Sequence, residues 1–474
     1  MSSTTAQRTQ RSSPSGISVL ITGGGVGGLL TALELWRRGC DVRVLERTNT
    51  TTTAGDSFVI GPSALRMLKH WPEMKERHDQ IAYEPMFAKY KHTGERLTEP
   101  IKMGALYKTK LSDGHPQLLL HSRPKFHDML LEQLTKCGVQ VEYGKEVVDY
   151  FENTATAKGG VVLKDGSKCE ADLVVAADGL RGTSWNLVAG QPIPARSSGS
   201  ATLRTAYPAE LALQYPEVAE RFQLEQDRSS IFQSWAGANL FGVFWRTDEQ
   251  MMWIITHPDT GTAEESWGHR ISNEAAIEIL SAIPNWPKEF DRIIKATPPD
   301  SIVDWKLMWR DPQPKWTSPG GYVVQLGDAA HTFLPTSGNG GTQALEDAVS
   351  LAACIAIAGK GRVPDATRVH NLLRFERVSF IQAMGIARRD AKAASNNVGV
   401  KPKPPPIPGA WLMDHDPEEY AEENFERGLA HLVDGEPFQN TNRPLKVEYR
   451  PWTIDGLVGA LDKGETTILD GDWS

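Results

Sequence analysis

The chain has 474 residues, of which 40 % are hydrophobic and 23 % charged, with a formal net charge of −8 and an isoelectric point of about 5.9. This length predicts two or three globular domains, and the negative charge argues against nucleic acid or an anionic membrane surface as a partner. The cysteines lie far apart, with no C-x-x-C pair, which argues against a disulfide framework or a metal site.

The N-terminus offers no targeting segment. Residues 1–16 are polar and lack the apolar core of a signal peptide, so they predict a disordered tail. The longest apolar stretch, 348–358, is too short to cross a bilayer and directly follows two acids. It predicts a buried helix. We therefore expect a cytoplasmic protein without a transmembrane segment.

The clearest motif lies in residues 17–47, where a β-branched run, a glycine turn, a helical pattern and a second strand form a βαβ unit. The turn fits G-x-G-x-x-G. Gly23 permits the tight turn, Gly25 lets the backbone approach a pyrophosphate, and Gly28 allows close packing of helix on strand. Glu46 ends the second strand, where a carboxylate accepts hydrogen bonds from a ribose. An acid there favours FAD or NAD over NADP.

Two further signals follow in the next strands. Asp165 and Gly166 form a turn signal between alternating segments, which predicts a hairpin. The apolar run ending at Asp178 brings that residue to the carboxyl end of a strand, where ligands gather in open α/β sheets.

The sequence texture changes over residues 198–304, where apolar and polar residues alternate and aromatic residues are frequent. This pattern predicts an antiparallel sheet in a second domain. Its tryptophans, Trp235, Trp245 and Trp253, suit a large flat substrate, but sheet core is the preferred interpretation. The parallel-strand texture returns near residue 320, so the first domain is discontinuous in sequence.

Residues 327–341, "GDAAHTFLPTSGNGG", precede a helical run, and their glycines indicate a loop whose backbone meets a ligand. His331 in this loop is interpreted as bridging the turn, and we leave it out of catalysis. The segment 401–409, "KPKPPPIPG", predicts an extended linker. An acidic helical stretch follows it and predicts a helix packed against the first domain.

In their order and spacing, these motifs resemble the single-component FAD-dependent aromatic hydroxylases, the family of p-hydroxybenzoate and salicylate hydroxylases. "GDAAH", Pro335 and "ALEDA" carry the most specific part of this resemblance. It implies an α/β fold: a Rossmann-like FAD-binding domain, an inserted antiparallel β-sheet substrate domain and a C-terminal helical tail. The implied boundaries are 17–86, 116–197 and 305–400 for the FAD domain, 87–115 and 198–304 for the substrate domain, and 401–474 for the linker and tail.

The resemblance also implies roles for individual residues around FAD. Glu46 binds the adenosine ribose, and Asp328 binds the ribityl hydroxyls. Arg123 contacts the FAD chain near the pyrophosphate, and Asp178 helps to build that region. The remaining implied contacts come from backbone near the flavin ring, at Val59, Gly340 and Gly341.

Only one G-x-G-x-x-G is present, and there is no redox C-x-x-x-x-C and no W-x-W-x-I-P signature. Baeyer–Villiger enzymes, disulfide reductases and flavin halogenases are therefore disfavoured. What remains is a hydroxylase that binds NAD(P)H transiently and uses O2.

Two polar residues indicate the chemistry. Arg204 begins the second domain among small residues, and the resemblance implies that it faces the substrate and holds a phenolate or donates a proton. Asp56 stands where the family carries a small or apolar residue, and burying it is costly unless it meets a cation or a substrate N–H. We take both as catalytic candidates.

The family's phenol hydroxylases often carry a tyrosine about thirty residues past the arginine, and this chain does not. Together with Asp56, Arg204 and the loop spelling "PTSGNGG", this departure is similar to the fungal indole-alkaloid monooxygenases. It implies epoxidation of an indole C2–C3 bond in an alkaloid, a small-molecule aromatic secondary metabolite, with a possible semipinacol shift to a spiro-oxindole. On this model Arg204 acts as general acid or positions the opening epoxide, and Asp56 anchors the substrate's N–H or amine. Hydroxylation of a phenolic polyketide, a FAD oxidase or dehydrogenase without oxygen insertion, and a flavoprotein that only binds remain alternatives.

Overall fold

A computed structural model describes residues 9–51, 55–106, 118–225, 228–237, 240–394, 406 and 408–473. Its strands are β1 (Ser18–Thr22), β2 (Asp41–Leu45), β3 (Ser57–Ile60), β4 (Ala82–Tyr83), β5 (Met86–Lys91), β6 (Ile101–Lys102), β7 (Leu119–Ser122), β8 (Val141–Glu142), β9 (Val147–Asn153), β10 (Lys158–Leu163), β11 (Lys168–Ala171), β12 (Leu173–Ala176), β13 (Ala195–Pro208), β14 (Phe232–Gly237), β15 (Leu240–Arg246), β16 (Gln250–Pro258), β17 (Arg270–Ile271), β18 (Ile302–Arg310) and β19 (Val323–Gln325). Its α-helices are α1 (Val26–Arg37), α2 (Pro62–Leu65), α3 (Pro72–Ile81), α4 (Arg123–Lys136), α5 (Trp185–Ala189), α6 (Ala209–Leu213), α7 (Pro216–Arg221), α8 (Asn273–Ser281), α9 (Asp291–Lys295), α10 (Gly340–Ala358), α11 (Val363–Ala394), α12 (Ala410–Met413), α13 (Pro417–Asp434) and α14 (Ile454–Lys463).

A parallel sheet of five strands, in the order β19-β12-β1-β2-β8, forms the first layer. Its central strands are apolar throughout because helices cover the sheet, and β12 is buried along its whole length. The helices α1, α4 and α10 share one hydrophobic core with it. The predicted βαβ unit is confirmed as β1-α1-β2. The predicted Asp165-Gly166 turn connects β10 to β11 in a small antiparallel sheet beside it.

A second sheet has eight strands in the order β17-β18-β13-β16-β15-β14-β5-β6. Its pairings are antiparallel except for β14 with β5. Trp235, Trp245 and Trp253 are at most 3 % exposed, which confirms that they belong to the sheet core rather than to a substrate wall. Strand β18 pairs with β13 as far as Arg310, past the boundary predicted at 304.

The long helices of the C-terminal part complete the fold. Among the described residues one helix, α10, is long and apolar enough to span a membrane by length and composition, and 72 % of that stretch is buried within the protein. The prediction of a buried helix here is confirmed. Helix α13 packs on the same core through Ala421 and Phe425, and its Glu418 binds Arg37 of α1 at 2.6 Å.

The fold class predicted from the sequence is confirmed, whereas the domain boundaries stay a prediction. Of the predicted disordered tail 1–16, residues 1–8 lie outside the described residues. The backbone N–H groups of Ser12 and Ser15 donate to the carbonyls of Arg37 and Gly39, so this part of the tail is attached to the end of α1. Most of the predicted linker 401–409, residues 401–405 and 407, also lies outside the described residues.

Candidate functional site

The glycine turn between β1 and α1 is shaped by close backbone contacts. Gly23 has a φ of +107°, and a Cβ there would lie 2.2 Å from the carbonyl oxygen of Ala177. A Cβ on Gly28 would lie 2.1 Å from the carbonyl oxygen of Gly23. Gly25 differs, because it caps α1 and no described heavy atom lies within 4 Å of its Cβ position. Gly23 and Gly28 therefore serve the turn itself, and Gly25 leaves open space before the N–H groups of a helix start, where phosphates bind.

Glu46, directly after β2, fixes this turn from the side. Its carboxylate accepts hydrogen bonds from the N–H of Gly24 at 2.8 Å and from the N–H and hydroxyl of Thr48 at 2.9 and 3.0 Å. A carboxylate has about four acceptor positions, so these three bonds leave capacity for one ribose hydroxyl. Glu46 is thus held rigidly and still has an acceptor to offer.

A cavity of about 810 Å³ runs from this turn to the eight-stranded sheet. The predicted site residues that line it are Gly23, Gly25, Glu46, Arg123, Asp178, Arg204 and Asp328. The predicted site residues that do not line it are Gly28, Asp56, Val59, Gly340 and Gly341.

Asp178 lies at the strand end predicted for it, and its carboxylate is used within the protein. Tyr150 donates its hydroxyl hydrogen bond to Asp178 at 2.7 Å, and Thr183 and Ser184 donate at 3.2 and 3.3 Å. Burial raises the pKa of Asp178, and the hydrogen bonds from Tyr150 and Ser184 oppose that rise. Asp178 therefore shapes the turn after β12, so that the turn's backbone faces the cavity.

Asp328 lies in a turn of 3-10 helix, Gly327–Ala329, and its side chain is exposed to the cavity. The pKa of Asp328 is raised, because the surrounding protein keeps water away from the carboxylate; His331 and Arg123 oppose this rise. The turn is fixed from behind by Asp347 of α10, whose carboxylate accepts from the N–H of Gly327 at 3.2 Å and binds His331 at 2.6 Å. His331 bridges the turn, as the sequence predicts.

Asp347 belongs to a buried charge cluster, which consists of Glu346, Asp347, Arg374 and Arg377. Arg374 donates to both acids, at 2.6 and 2.8 Å, and Arg377 donates to Glu346 at 2.8 Å. Arg377 also donates to the backbone carbonyls of Trp411, Leu412 and Asn442. Burial raises the pKa values of both acids, but Arg377 and Arg374 beside Glu346, and His331 and Arg374 beside Asp347, hold these pKa values well below their usual range.

Of the two glycines that open α10, Gly341 has a packing explanation and Gly340 does not. A Cβ on Gly341 would lie 2.8 Å from Cδ2 of Phe58 in β3, so the helix approaches this strand too closely for a side chain. A Cβ on Gly340 would meet only Phe333, at 3.7 Å. Val59, on the same strand as Phe58, packs half-buried in the core beside the sheet. Their predicted contacts with the flavin ring stay a prediction.

Asp56 and Arg204, the two candidates for catalysis, bind each other directly. Arg204 donates from Nε and Nη2 to the two carboxylate oxygens of Asp56 at 2.7 and 2.6 Å. Only 2 % of the Asp56 side chain is exposed, against 16 % for Arg204, which faces the cavity. The cation predicted as one way to bury Asp56 is therefore present within the protein. Asp56 is buried and does not line the cavity, which argues against its predicted role as an anchor for a substrate N–H.

A third partner, Trp267, lies in the irregular segment between β16 and β17 and was not predicted from the sequence. The guanidinium carbons of Arg204 and Arg123 lie 4.8 and 5.2 Å from its ring centroid. Trp305 of β18 lies 5.1 Å away, centroid to centroid. All four side chains line the cavity. The available signal was a tryptophan outside any alternating strand pattern, in "EESWGHR".

The segment carrying Trp267 is itself held by an ion pair. Arg310, the last residue of β18, donates twice to the carboxylate of Glu265, at 2.8 and 2.7 Å. Arg181, which follows β12, donates to the backbone carbonyl of Glu265 at 3.0 Å. The segment is thus attached both to the eight-stranded sheet and to the turn beside the parallel sheet.

Comparisons with known proteins show what this chain is similar to. Residues 16–367 match the family model described as "FAD binding domain". The chain is 40 % identical to the FAD-dependent monooxygenase dmxR9 of Cryptosporiopsis sp. (strain 8999), over 98 % of this chain and 91 % of that protein. Among solved structures, native FqzB is 28 % identical with a TM-score of 0.78, covering 92 % of this chain and 99 % of FqzB. CtdE, solved in complex with FAD and a substrate, is 27 % identical with a TM-score of 0.77, covering 88 % of this chain and all of CtdE.

Proposed function

The chain belongs to the family of FAD-dependent monooxygenases, and on this premise we propose that it uses NAD(P)H and O2 to hydroxylate a flat phenolic substrate. The resemblance stated from the sequence is confirmed at the level of the family and of FAD. The nicotinamide cofactor, the substrate and the residue roles below are proposals.

The residues around the cavity fit FAD. The open space at Gly25 and the start of α1 suit the pyrophosphate. Glu46 keeps an acceptor for the ribose, and Asp328 presents acceptors for the ribityl hydroxyls. Arg123 adds a positive charge on the same wall. When bound, the flavin supplies the reaction with O2, and the protein supplies position and charge.

The observation that carries the phenol proposal is the charge on the wall around Trp267. Arg204 and Arg123 share one tryptophan ring. The acids beside this ring, Asp56 and Glu265, are each occupied by a two-point ion pair. The wall therefore offers hydrogen-bond donors and positive charge, which suit a phenolate or carbonyl oxygen better than an N–H group.

Arg204 would bind the phenolic oxygen of the substrate. A nearby guanidinium favours the ionised phenol, and an ionised phenol is the more reactive nucleophile at its neighbouring ring carbon. The two hydrogen bonds that Arg204 donates to Asp56 fix the orientation of the guanidinium plane. In the net reaction the ring C–H becomes C–OH, the second oxygen atom of O2 becomes water, and NAD(P)H supplies the two electrons.

Indole 2,3-epoxidation, followed by a semipinacol shift to a spiro-oxindole, is the second candidate. The aromatic wall of Trp267 and Trp305 supports it, since a flat indole can stack there. In that reaction Arg204 would act as the general acid. Because Asp56 is buried and does not line the cavity, it is poorly placed to bind an indole N–H, which makes this candidate the weaker one.

Purified protein loaded with FAD tests these candidates. We expect 2-naphthol to accelerate NAD(P)H oxidation and to yield a product carrying one atom from ¹⁸O₂. 2-Methoxynaphthalene, which cannot ionise, should do neither. Labelled product from 3-methylindole alone would favour the second candidate. Oxidation without label would indicate an oxidase or dehydrogenase, and protein that takes up FAD but never turns over would indicate a binding module.

The four cysteines are free, in keeping with a cytoplasmic location.

A further inference from the structure

The guanidinium of Arg204 is restrained from two directions. Asp56 binds Nε and Nη2 in the guanidinium plane, and the ring of Trp267 lies 4.8 Å from the guanidinium carbon. Among the described residues Arg204 has no other hydrogen-bonded partner, so Nη1 is left for a ligand in the cavity. A change at either restraint should alter where those N–H groups point.

Trp267 also brings a second cation to this place. Arg123 lies over the same ring at 5.2 Å, and its pKa is lowered by burial and by the like charge of Arg204. The electron-rich ring of Trp267 attracts both guanidinium groups and so offsets part of their mutual repulsion. Among aromatic side chains, tryptophan attracts a cation most strongly.

The position of Trp267 does not depend on the core. Its ring is only half-buried, and it lies in a segment outside the strands. The segment is held by the Glu265–Arg310 ion pair and by Arg181 on the backbone of Glu265. Backbone hydrogen bonds from Lys306 to Glu264 and from Asp304 to His269 fix its two ends on β18.

We propose that Trp267 is a positioning residue that orients Arg204 toward an ionised substrate oxygen, and that Glu265 keeps Trp267 in place through Arg310. This proposal rests on the proposed function and deepens it: the wall selects flat aromatic ligands that carry a phenolate. Trp305, which lies beside Trp267, adds flat aromatic surface to the wall, and Arg204 supplies the hydrogen-bond donor.

The test measures 2-naphthol binding to the FAD-loaded protein, through the change in flavin absorbance, as a function of pH. In the wild type the affinity should increase as pH rises through the ionisation of 2-naphthol. Trp267→Phe should weaken binding by about threefold, because a phenyl ring is the weaker cation partner. Trp267→Leu should weaken it on the order of tenfold, about 1.4 kcal/mol, and should flatten the pH profile. FAD affinity, measured separately, should change less.

Glu265→Gln provides a second measurement that leaves Trp267 and Arg204 intact. It should also weaken 2-naphthol binding and flatten the pH profile, and it keeps the test decisive if Trp267→Leu does not fold. Trp36→Leu is the matched control. Trp36 is half-buried and has Arg11 at 5.0 Å from its ring, but it does not line the cavity. Its affinity for 2-naphthol should equal that of the wild type.

Each remaining outcome decides the matter. Equal affinities and pH profiles in the wild type, Trp267→Leu and Glu265→Gln would overturn the role of Trp267 while leaving the proposed function in place. A loss of the same size in Trp36→Leu would reduce the effect to general destabilisation and overturn it too. Wild-type protein that binds FAD but shows no binding of 2-naphthol would overturn the phenol proposal and this inference together.

Discussion

Replacing Asp56 with asparagine tests the central ion pair of the site. The change keeps the shape of the side chain but removes its charge and turns one oxygen into an N–H donor that faces the guanidinium of Arg204. Two short hydrogen bonds, at 2.7 and 2.6 Å, are affected. Removing one member of a fully buried pair typically costs about 3–5 kcal/mol. Since Arg204 faces the cavity and can regain water, we expect about 2 kcal/mol here.

The assay is urea unfolding of the FAD-loaded protein, followed by the release of flavin fluorescence. It reports the unfolding that opens the cavity, which matters in a chain of more than one domain. The single variants Asp56→Asn and Arg204→Met are compared with the double variant. If the two side chains act as a pair, the double variant should be about as stable as either single one, with a coupling energy of about 2 kcal/mol.

Two results would refute this reasoning. A loss below about 0.5 kcal/mol in Asp56→Asn would mean that solvent replaces the carboxylate at no cost. Strictly additive losses in the double variant would mean that the two residues contribute separately, and Arg204 would then need another source of orientation.

Three further changes have defined outcomes. Gly25→Ala should unfold at the wild-type urea concentration, because its Cβ meets open space, but should retain little FAD, because that Cβ enters the space proposed for the pyrophosphate. Gly23→Ala should unfold at a lower urea concentration, because its Cβ clashes and its φ is positive. Equal flavin content in Gly25→Ala and the wild type would contradict this. Burial lowers the pKa of His370 to about 4, below its unfolded value of about 6.5, so stability should fall as pH decreases from about 6.5 to about 4, by up to about 3 kcal/mol. His370→Gln should reduce that slope in urea titrations at several pH values, and an unchanged slope would assign it to other groups. Tyr150→Phe removes the donor to Asp178 and should weaken FAD binding several-fold in flavin titrations; unchanged affinity would show that Tyr150 does not support the turn.

The glycine turn and the βαβ unit around it could be predicted from the sequence because their causes are local. Gly23 and Gly28 are required by contacts within a few residues or with the neighbouring strand. Glu46 follows from its place at the end of β2. The tryptophans of the eight-stranded sheet could be predicted as core because successive side chains of a strand point to opposite faces, so alternating apolar residues mark the buried face.

The pairings across the cavity could not be predicted in the same way. Asp56 and Arg204 are 148 residues apart, and the sequence indicates only that Asp56 needs some partner, not which one. Trp267 lies in a segment without periodicity, so no pattern connects it with Arg123 or Arg204. Packing against Phe58 is a second reason for a glycine at position 341, and it could not be read from the sequence. A glycine required by a neighbouring strand looks the same in sequence as one required by a cofactor, and the predicted contact of Gly341 with the flavin ring stays a prediction.

The buried charge cluster makes the far end of the chain a partner in holding the cofactor. Asp347 fixes the turn that presents Asp328, and Arg374 connects Asp347 to Glu346. Arg377 extends the same network to the backbone of Trp411, Leu412 and Asn442. If FAD binding stabilises this turn, it therefore also stabilises the docking of the C-terminal segment on the rest of the protein. Loading the protein with FAD should slow proteolysis beyond residue 410, and cutting the chain there should release FAD, although none of the described residues 410–473 lines the cavity.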